Sequence, residues 1–215
     1  MKHFKVSNGE AVTVYNGCPV AEITQRATAQ RQQKSEHSFV IGMVARLERH
    51  KDQPTLIKAA QILKNKGIKF IVQLIGEGSR RTEYEELIRA EGVEDYVQLL
   101  GMRRNIPELL GQMDVFVFAA KPDEGLGVAL IEAIAAGVPI IATDVGACRE
   151  VLEQGNLGYL VPAQSPEAIA NKILEVIAHP AEAQIKVSKA QQKVLKEFSI
   201  ENMAQQYVRY LDLAL

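Results

Sequence analysis

From Phe39 onward the chain alternates short apolar runs with amphipathic stretches, and before that point no such pattern holds. Phe39–Ala45 is an almost unbroken apolar run of strand length, as expected of a strand buried on both faces of a parallel sheet. The stretch that follows carries apolar residues at helical spacing, with Asp52 at the expected N-cap, Pro54 in the first turn and Gly67 past the end. Further strands are expected at Phe70–Ile75, Val97–Leu100, Val115–Phe118, Ile140–Thr143 and Gly158–Val161. Helices fall between them at Thr82–Glu91, Ile106–Leu110 and Val128–Ala136, with Gly92 and Gly137 as stops. Ser165 and Pro166 open another helix as N-cap and first helical residue, and helices near Ala181–Glu197 and Ile200–Leu213 finish the pattern. This alternation predicts an α/β fold: a doubly wound, Rossmann-like parallel sheet of about six strands with helices on both faces.

The front of the chain reads differently. Ala11–Tyr15 is a β-prone run closed by the Asn16-Gly17 turn signal. Thr24–Ser38 is polar and rich in Gln and Arg, which suggests a linker or a frayed helix. Residues 1–38 are therefore expected to be a junction segment, and residues 39–215 a Rossmann-like domain with carboxyl-terminal helices.

Composition narrows the function. With 47% hydrophobic residues among 215 the chain has ample material for a core, which rules out a disordered polymer. A net charge of -1 provides no basic field, so nucleic acid is not an expected partner. The two cysteines, Cys18 and Cys148, form neither a metal-ligand spacing nor a disulfide framework, which suits a reducing cytoplasm. No run approaches the ~20 apolar residues of a membrane span, and no signal-peptide pattern opens the sequence; peripheral membrane contact is left open.

In a doubly wound sheet the ligand lies beyond the carboxyl ends of the strands, which directs attention to the loops after Ala45, Ile75, Leu100, Phe118 and Thr143. The first loop places Arg46 and Lys51 beside a helix start, an anion site suited to phosphate, although a solvated basic loop has the same composition. Gly76-Glu77-Gly78-Ser79 is a tight turn rather than a dinucleotide fingerprint, because Arg81 stands where the third glycine belongs. There is no P-loop motif. The fourth loop is the richest. Gly125 and Gly127 flank a helix start, where a ligand can approach the backbone amides closely. Glu124 stands just before that start, and Glu132 lies inside a helix that is otherwise apolar from Val128 to Ala136. A charge in such a helix is costly unless it meets a partner or a ligand. The ordinary alternatives are a salt bridge for Glu132 and a capping carboxylate for Glu124. In the fifth loop, Arg149 and Glu150 either reach the cleft or, in the case of Glu150, support the helix start electrostatically. His3, His37, His50 and His179 are scattered without metal spacing, and no Asp-x-Asp is present to bridge a metal to a diphosphate.

Taken together these residues resemble the donor-binding, carboxyl-terminal half of retaining GT-B glycosyltransferases of the group 1, or family 4, type. The element that carries the resemblance is Glu124-x7-Glu132 within Glu-Gly-Leu-Gly-Val-Ala-Leu-Ile-Glu. It is supported by Gly42-x-x-Ala-Arg-Leu-x-x-x-Lys-Asp, Leu74-Ile-Gly-Glu-Gly, Leu99-Leu-Gly-Met and Val14-Tyr-Asn-Gly17, in family order. The resemblance implies that Arg46 and Lys51 neutralise the donor diphosphate and that Glu124 bonds the donor sugar. It also implies that Gly125, Leu126, Gly127 and Val128 line the sugar and phosphates, and that Glu132 accepts from the ribose hydroxyls. Met102 and Arg103 would cradle the nucleobase. The donor would be a nucleotide-diphosphate sugar, with no cofactor and no metal required. The chain departs from the family in having Ala119-Ala120-Lys121 and Gly146-Ala147 where Ser or Pro and Gly-Gly are frequent. It departs further in that only the Asn16-Gly17 junction region precedes the donor half, where the family is expected to carry an acceptor-binding amino-terminal domain. The resemblance thus implies a partner domain or partner chain and a half that is inactive alone. The competing reading is a non-catalytic nucleotide-sugar binding or partner-interaction module; an epimerase of the same architecture would not account for the two glutamates.

Overall fold

The computed structural model describes residues 13–33, 39–121 and 127–212. Six strands form one all-parallel sheet: β1 Phe39–Val44, β2 Phe70–Ile75, β3 Val97–Gly101, β4 Val115–Phe118, β5 Ile140–Thr143 and β6 Tyr159–Val161. Their order across the sheet is β3-β2-β1-β4-β5-β6. The chain winds outward from β1 to β3, then returns to the centre and winds the other way from β4. The connections therefore diverge between β1 and β4, which opens a crevice at their carboxyl ends. This is the doubly wound Rossmann-like sheet the sequence predicts, and every strand falls on an expected apolar run.

Around the sheet lie α1 Val20–Gln32, α2 Gln53–Asn65, α3 Arg81–Ala90, α4 Ile106–Gln112, α5 Val128–Ala135, α6 Gly146–Val151, α7 Pro166–Ala178, α8 Pro180–Glu197 and α9 Ile200–Asp212. Successive strand residues point to opposite faces, so the sheet carries two cores. On one face Ile41, Met43, Phe70 and Val72 pack with α2, α3 and α7. On the other Phe116 and Phe118 pack with α1, α4, α5 and α8. Gly67, Gly92 and Gly137 end their helices at positive φ, as expected of glycine caps. Ser165 accepts from the Ala168 amide at 3.3 Å, the predicted cap. Asp52 occupies the N-cap position of α2, but its carboxylate takes the Thr55 hydroxyl at 2.7 Å instead of a backbone N–H.

The front of the described chain adds a helix where the sequence shows no apolar period. α1 exists because tertiary contacts compensate for weak patterning: Val20, Ile23 and Ala27 are buried, and α1 packs closely on α4 and α5. Arg26 ties it to Glu108 of α4 through two bonds of 2.8 and 3.0 Å. Residues 13–15 of the β-prone run form no strand, and residues 11 and 12 lie outside the described residues. The run instead leads into a pairing of Cys18 with Ser199, with the Cys18 amide bonding Phe198 O at 2.8 Å.

Candidate functional site

A cleft of about 530 Å³ opens where β1 and β4 part. Its floor is Val44, Ala45, Ile75 and Phe118, and its rim is Arg46, Lys51, Met102 and Arg103. Four of the five predicted loops converge there. The fifth, after Thr143, contributes no lining residue. Its Arg149 is turned onto Asp144, lowering the aspartate pKa through that bond, and Glu150 takes the Tyr15 hydroxyl rather than serving a helix start.

The loop bearing Arg46 and Lys51 is held from both sides by backbone bonds. On one side the Ala45 and Leu47 amides donate to Ile75 and Glu77 carbonyls, each at 3.0 Å, and the Arg80 amide donates to Leu47 at 3.1 Å. Glycine makes that approach feasible: a Cβ at Gly76 would stand 2.1 Å from Ala45 O, and one at Gly78 would stand 2.3 Å from Leu47 O. On the other side the Asp52 amide donates to Ala119 O and the Lys121 amide to His50 O, both at 3.1 Å. Within the loop, Gln53 donates its amide to Arg46 O at 2.8 Å. Glu48 accepts from the Ser79 amide and hydroxyl, which lowers its pKa. The two cations are thus carried on a braced backbone, as an anion site requires.

The opposite wall is the amino end of α5. Gly127 is its N-cap, no side chain among the described residues caps it, and Gly127, Val128 and Ala129 line the cleft. The first amides of a helix have no intrahelical acceptor, so this end offers donors and a partial positive charge to an anion. Lys51 Nζ lies 5.4 Å from the Phe118 ring centroid, a cation–π distance. That ring abuts Gly127, where a Cβ would come within 2.5 Å of it. Glu77, also on the lining, is paired with Arg81 at 2.8 Å.

The structure therefore brings Arg46, Lys51, Met102, Arg103, Gly127 and Val128 together around one cleft. Met102 is 75% exposed, a bare apolar side chain at the mouth. Glu132 is one turn deeper along α5 and is not among the lining residues. It is half-buried, burial raises its pKa, and among the described residues no ion pair or side-chain hydrogen bond holds its carboxylate. The salt bridge that is its ordinary alternative does not form among the described residues. Burial, with a smaller contribution from the Glu132 charge, pushes the Cys18 thiol up to about 11. Glu124, Gly125 and Leu126 lie outside the described residues. Sequence reasoning missed Glu77, Ile106, Phe118 and Ala129 as cleft residues; the closely spaced Gly76 and Gly78 were the only signal for the Glu77 turn. Among the described residues no three His, Cys, Asp or Glu side chains converge as a metal site.

Residues 24–194 match the family model described as glycosyl transferases group 1. EpsD of Bacillus subtilis, named as a glycosyltransferase, is 33% identical over 199 residues, covering 91% of this chain and 52% of its own. N-acetyl-alpha-D-glucosaminyl L-malate synthase of Bacillus anthracis is 26% identical, covering 93% of this chain and 53% of its own. The chain spans about half the length of these curated relatives. Among solved structures, Anabaena HepE in complex with UDP-glucose superposes with a TM-score of 0.82 at 26% identity, over 93% of this chain and 56% of that one.

Proposed function

This chain belongs to the glycosyl transferases group 1 family, and from that premise we propose that it is the half that binds a nucleotide-diphosphate sugar for transfer to an acceptor. The observation that carries the reading is the cleft between β1 and β4, with Arg46 and Lys51 on one wall and the amino end of α5 on the other. The UDP-glucose complex of HepE supports a nucleotide-sugar ligand for this cleft.

In this reading the diphosphate lies between Arg46, Lys51 and the amides at the start of α5. As the bond from the anomeric carbon to the diphosphate oxygen breaks, charge builds on that oxygen, and the two cations and the helix end stabilise it. Transfer proceeds with retention and without a metal, and the leaving phosphate takes the proton of the acceptor hydroxyl. Glu124, with the amides of Gly125, Leu126 and Gly127, holds the sugar. Glu132 accepts from the ribose, a role supported by its half-buried carboxylate, which has no partner among the described residues. Met102 and Arg103 flank the base, and Val128 shapes the wall between base and sugar.

The acceptor would be held by a second half, in the same chain or in a partner, since the relatives are about twice as long. The stretch before residue 39 would then be the junction into this half, with α1 as its docked end. Among the described residues no helix is long and apolar enough to cross a membrane; the cysteine usage supports a cytoplasmic location, and no nucleic acid is involved. The test is calorimetric titration of the chain with UDP, UDP-glucose and other nucleotide sugars, beside Glu124→Gln. Binding of UDP with an added increment for a sugar, lost in Glu124→Gln, is expected. No affinity for any nucleotide diphosphate would remove the reading.

A further inference from the structure

We propose that Thr143, which lies outside the cleft, is the positioning residue that sets both of its anion-reading loops. This inference rests on the reading of the cleft as a diphosphate site. The backbone ladder between β4 and β5 ends at Phe118 opposite Ala142. At Thr143 the backbone of β5 pairs only with β6, through Val161. The Thr143 side chain then takes over the work of the ladder. Its hydroxyl, on a residue 1% exposed, accepts from the Ala120 amide at 3.0 Å. It also lies 3.0 Å from Ala120 O and 3.3 Å from Phe118 O, one of which receives its single proton. One hydroxyl thus fastens the Ala120 end of the turn through which the chain leaves β4, and its proton goes to either the Ala120 or the Phe118 carbonyl.

That turn is what the cationic loop leans on. Ala120 is bridged antiparallel to Lys51, with the Asp52 amide on Ala119 O and the Lys121 amide on His50 O. Phe118, at the other end of the same turn, has its ring beside Lys51 Nζ and against Gly127 at the start of α5. The placement of Lys51 beside Phe118 therefore depends on a bond made by a strand that lines no part of the cleft. A valine would fill the same volume and suit the strand, but it would leave a buried Ala120 amide without its acceptor. The turn can regain that bond only by shifting, and residues 50–52 would shift with it.

The test compares Thr143→Val and Thr143→Ser with the wild-type chain, using UDP and uridine as probes and amide hydrogen exchange as a structural readout. For Thr143→Val we expect the Kd for UDP to rise about five- to ten-fold, as for a lost hydrogen bond, with uridine affinity unchanged. Exchange at Asp52 and Lys121 should accelerate, an effect that a bond of purely local consequence would not produce. Thr143→Ser, which keeps the hydroxyl, should restore both. A folded Thr143→Val that binds UDP as the wild type does, or that loses UDP and uridine equally, overturns the proposal, as does failure of the serine variant to restore binding. If the wild type binds no UDP, the donor-site reading is what fails. The brace is judged separately by exchange, and unchanged rates at Asp52 and Lys121 in Thr143→Val would overturn it.

Discussion

Replacing Glu132 with glutamine should stabilise the empty protein and weaken its hold on nucleotides. The carboxylate lies inside α5, half-buried, and burial holds its pKa above the ordinary glutamate value. An acid whose pKa is raised on folding binds its proton more tightly when folded. Its favourable contribution is complete below the unfolded pKa and is lost as pH rises through the folded one. At neutral pH the unfolded chain ionises this group freely, whereas the folded chain holds it better as the neutral acid. Glutamine removes that difference, so the empty variant should melt above the wild type at pH 7. The difference should shrink as pH falls through the raised pKa and vanish below the usual glutamate range. Binding should change in the opposite direction. If the two ribose hydroxyls donate to this carboxylate, glutamine loses one or two bonds to a charged acceptor. At ~1.5–3 kcal/mol for a bond to a charged group, one such loss weakens UDP by roughly 10- to 150-fold. Because ribose is common to all of them, uridine, UDP and UDP-glucose should weaken by the same factor. Thermal melts across pH with calorimetry on the three ligands measure both effects. A variant that melts lower at neutral pH and binds all three normally would refute the reasoning, because the carboxylate would then be a structural group.

Arg46→Ala and Lys51→Ala should each weaken UDP by about 1.5–3 kcal/mol, less at high salt, and leave uridine unaffected; equal losses for both ligands in calorimetry would show that neither residue reads phosphate. Gly127→Ala sets a Cβ 2.5 Å from the buried Phe118 ring. Overpacking of this kind costs about 1–3 kcal/mol, or roughly 2–12 °C in Tm for a domain of this size, so an unchanged melt would contradict the packing described. If the chain is the donor-binding half proposed above, it should show negligible acceptor-dependent transfer alone, because orienting both reactants accounts for ~7–11 kcal/mol of barrier lowering and that half would orient only the donor. Steady transfer by the purified chain would end the half-enzyme reading.

Local chemistry was enough to determine the fold class. Runs such as Phe39–Val44 and Val115–Phe118 are too apolar and too short for anything but strands buried on both faces, and Pro and Gly mark the helices between them. The position of Arg46 and Lys51 after the first strand, and of Gly127 and Val128 after the fourth, follows from the same reading, because a doubly wound sheet gathers those loops at one end. Other features depended on contacts distant in sequence. α1 has almost no apolar period and exists because α4 and α5 receive Val20, Ile23 and Ala27. Gly76 looked like an ordinary turn residue until the carbonyl of Ala45, thirty-one positions earlier, was seen to occupy the place of its Cβ. Glu132 was legible as a charge in an apolar helix, but only the packing showed that no cation among the described residues meets it. Thr143 read as the last residue of a strand, and its hold on Ala120 depends on where two strands separate. A sequence records the propensities of neighbours along the chain; which hydroxyl reaches which amide is decided by how the strands are ordered and where their ladders stop.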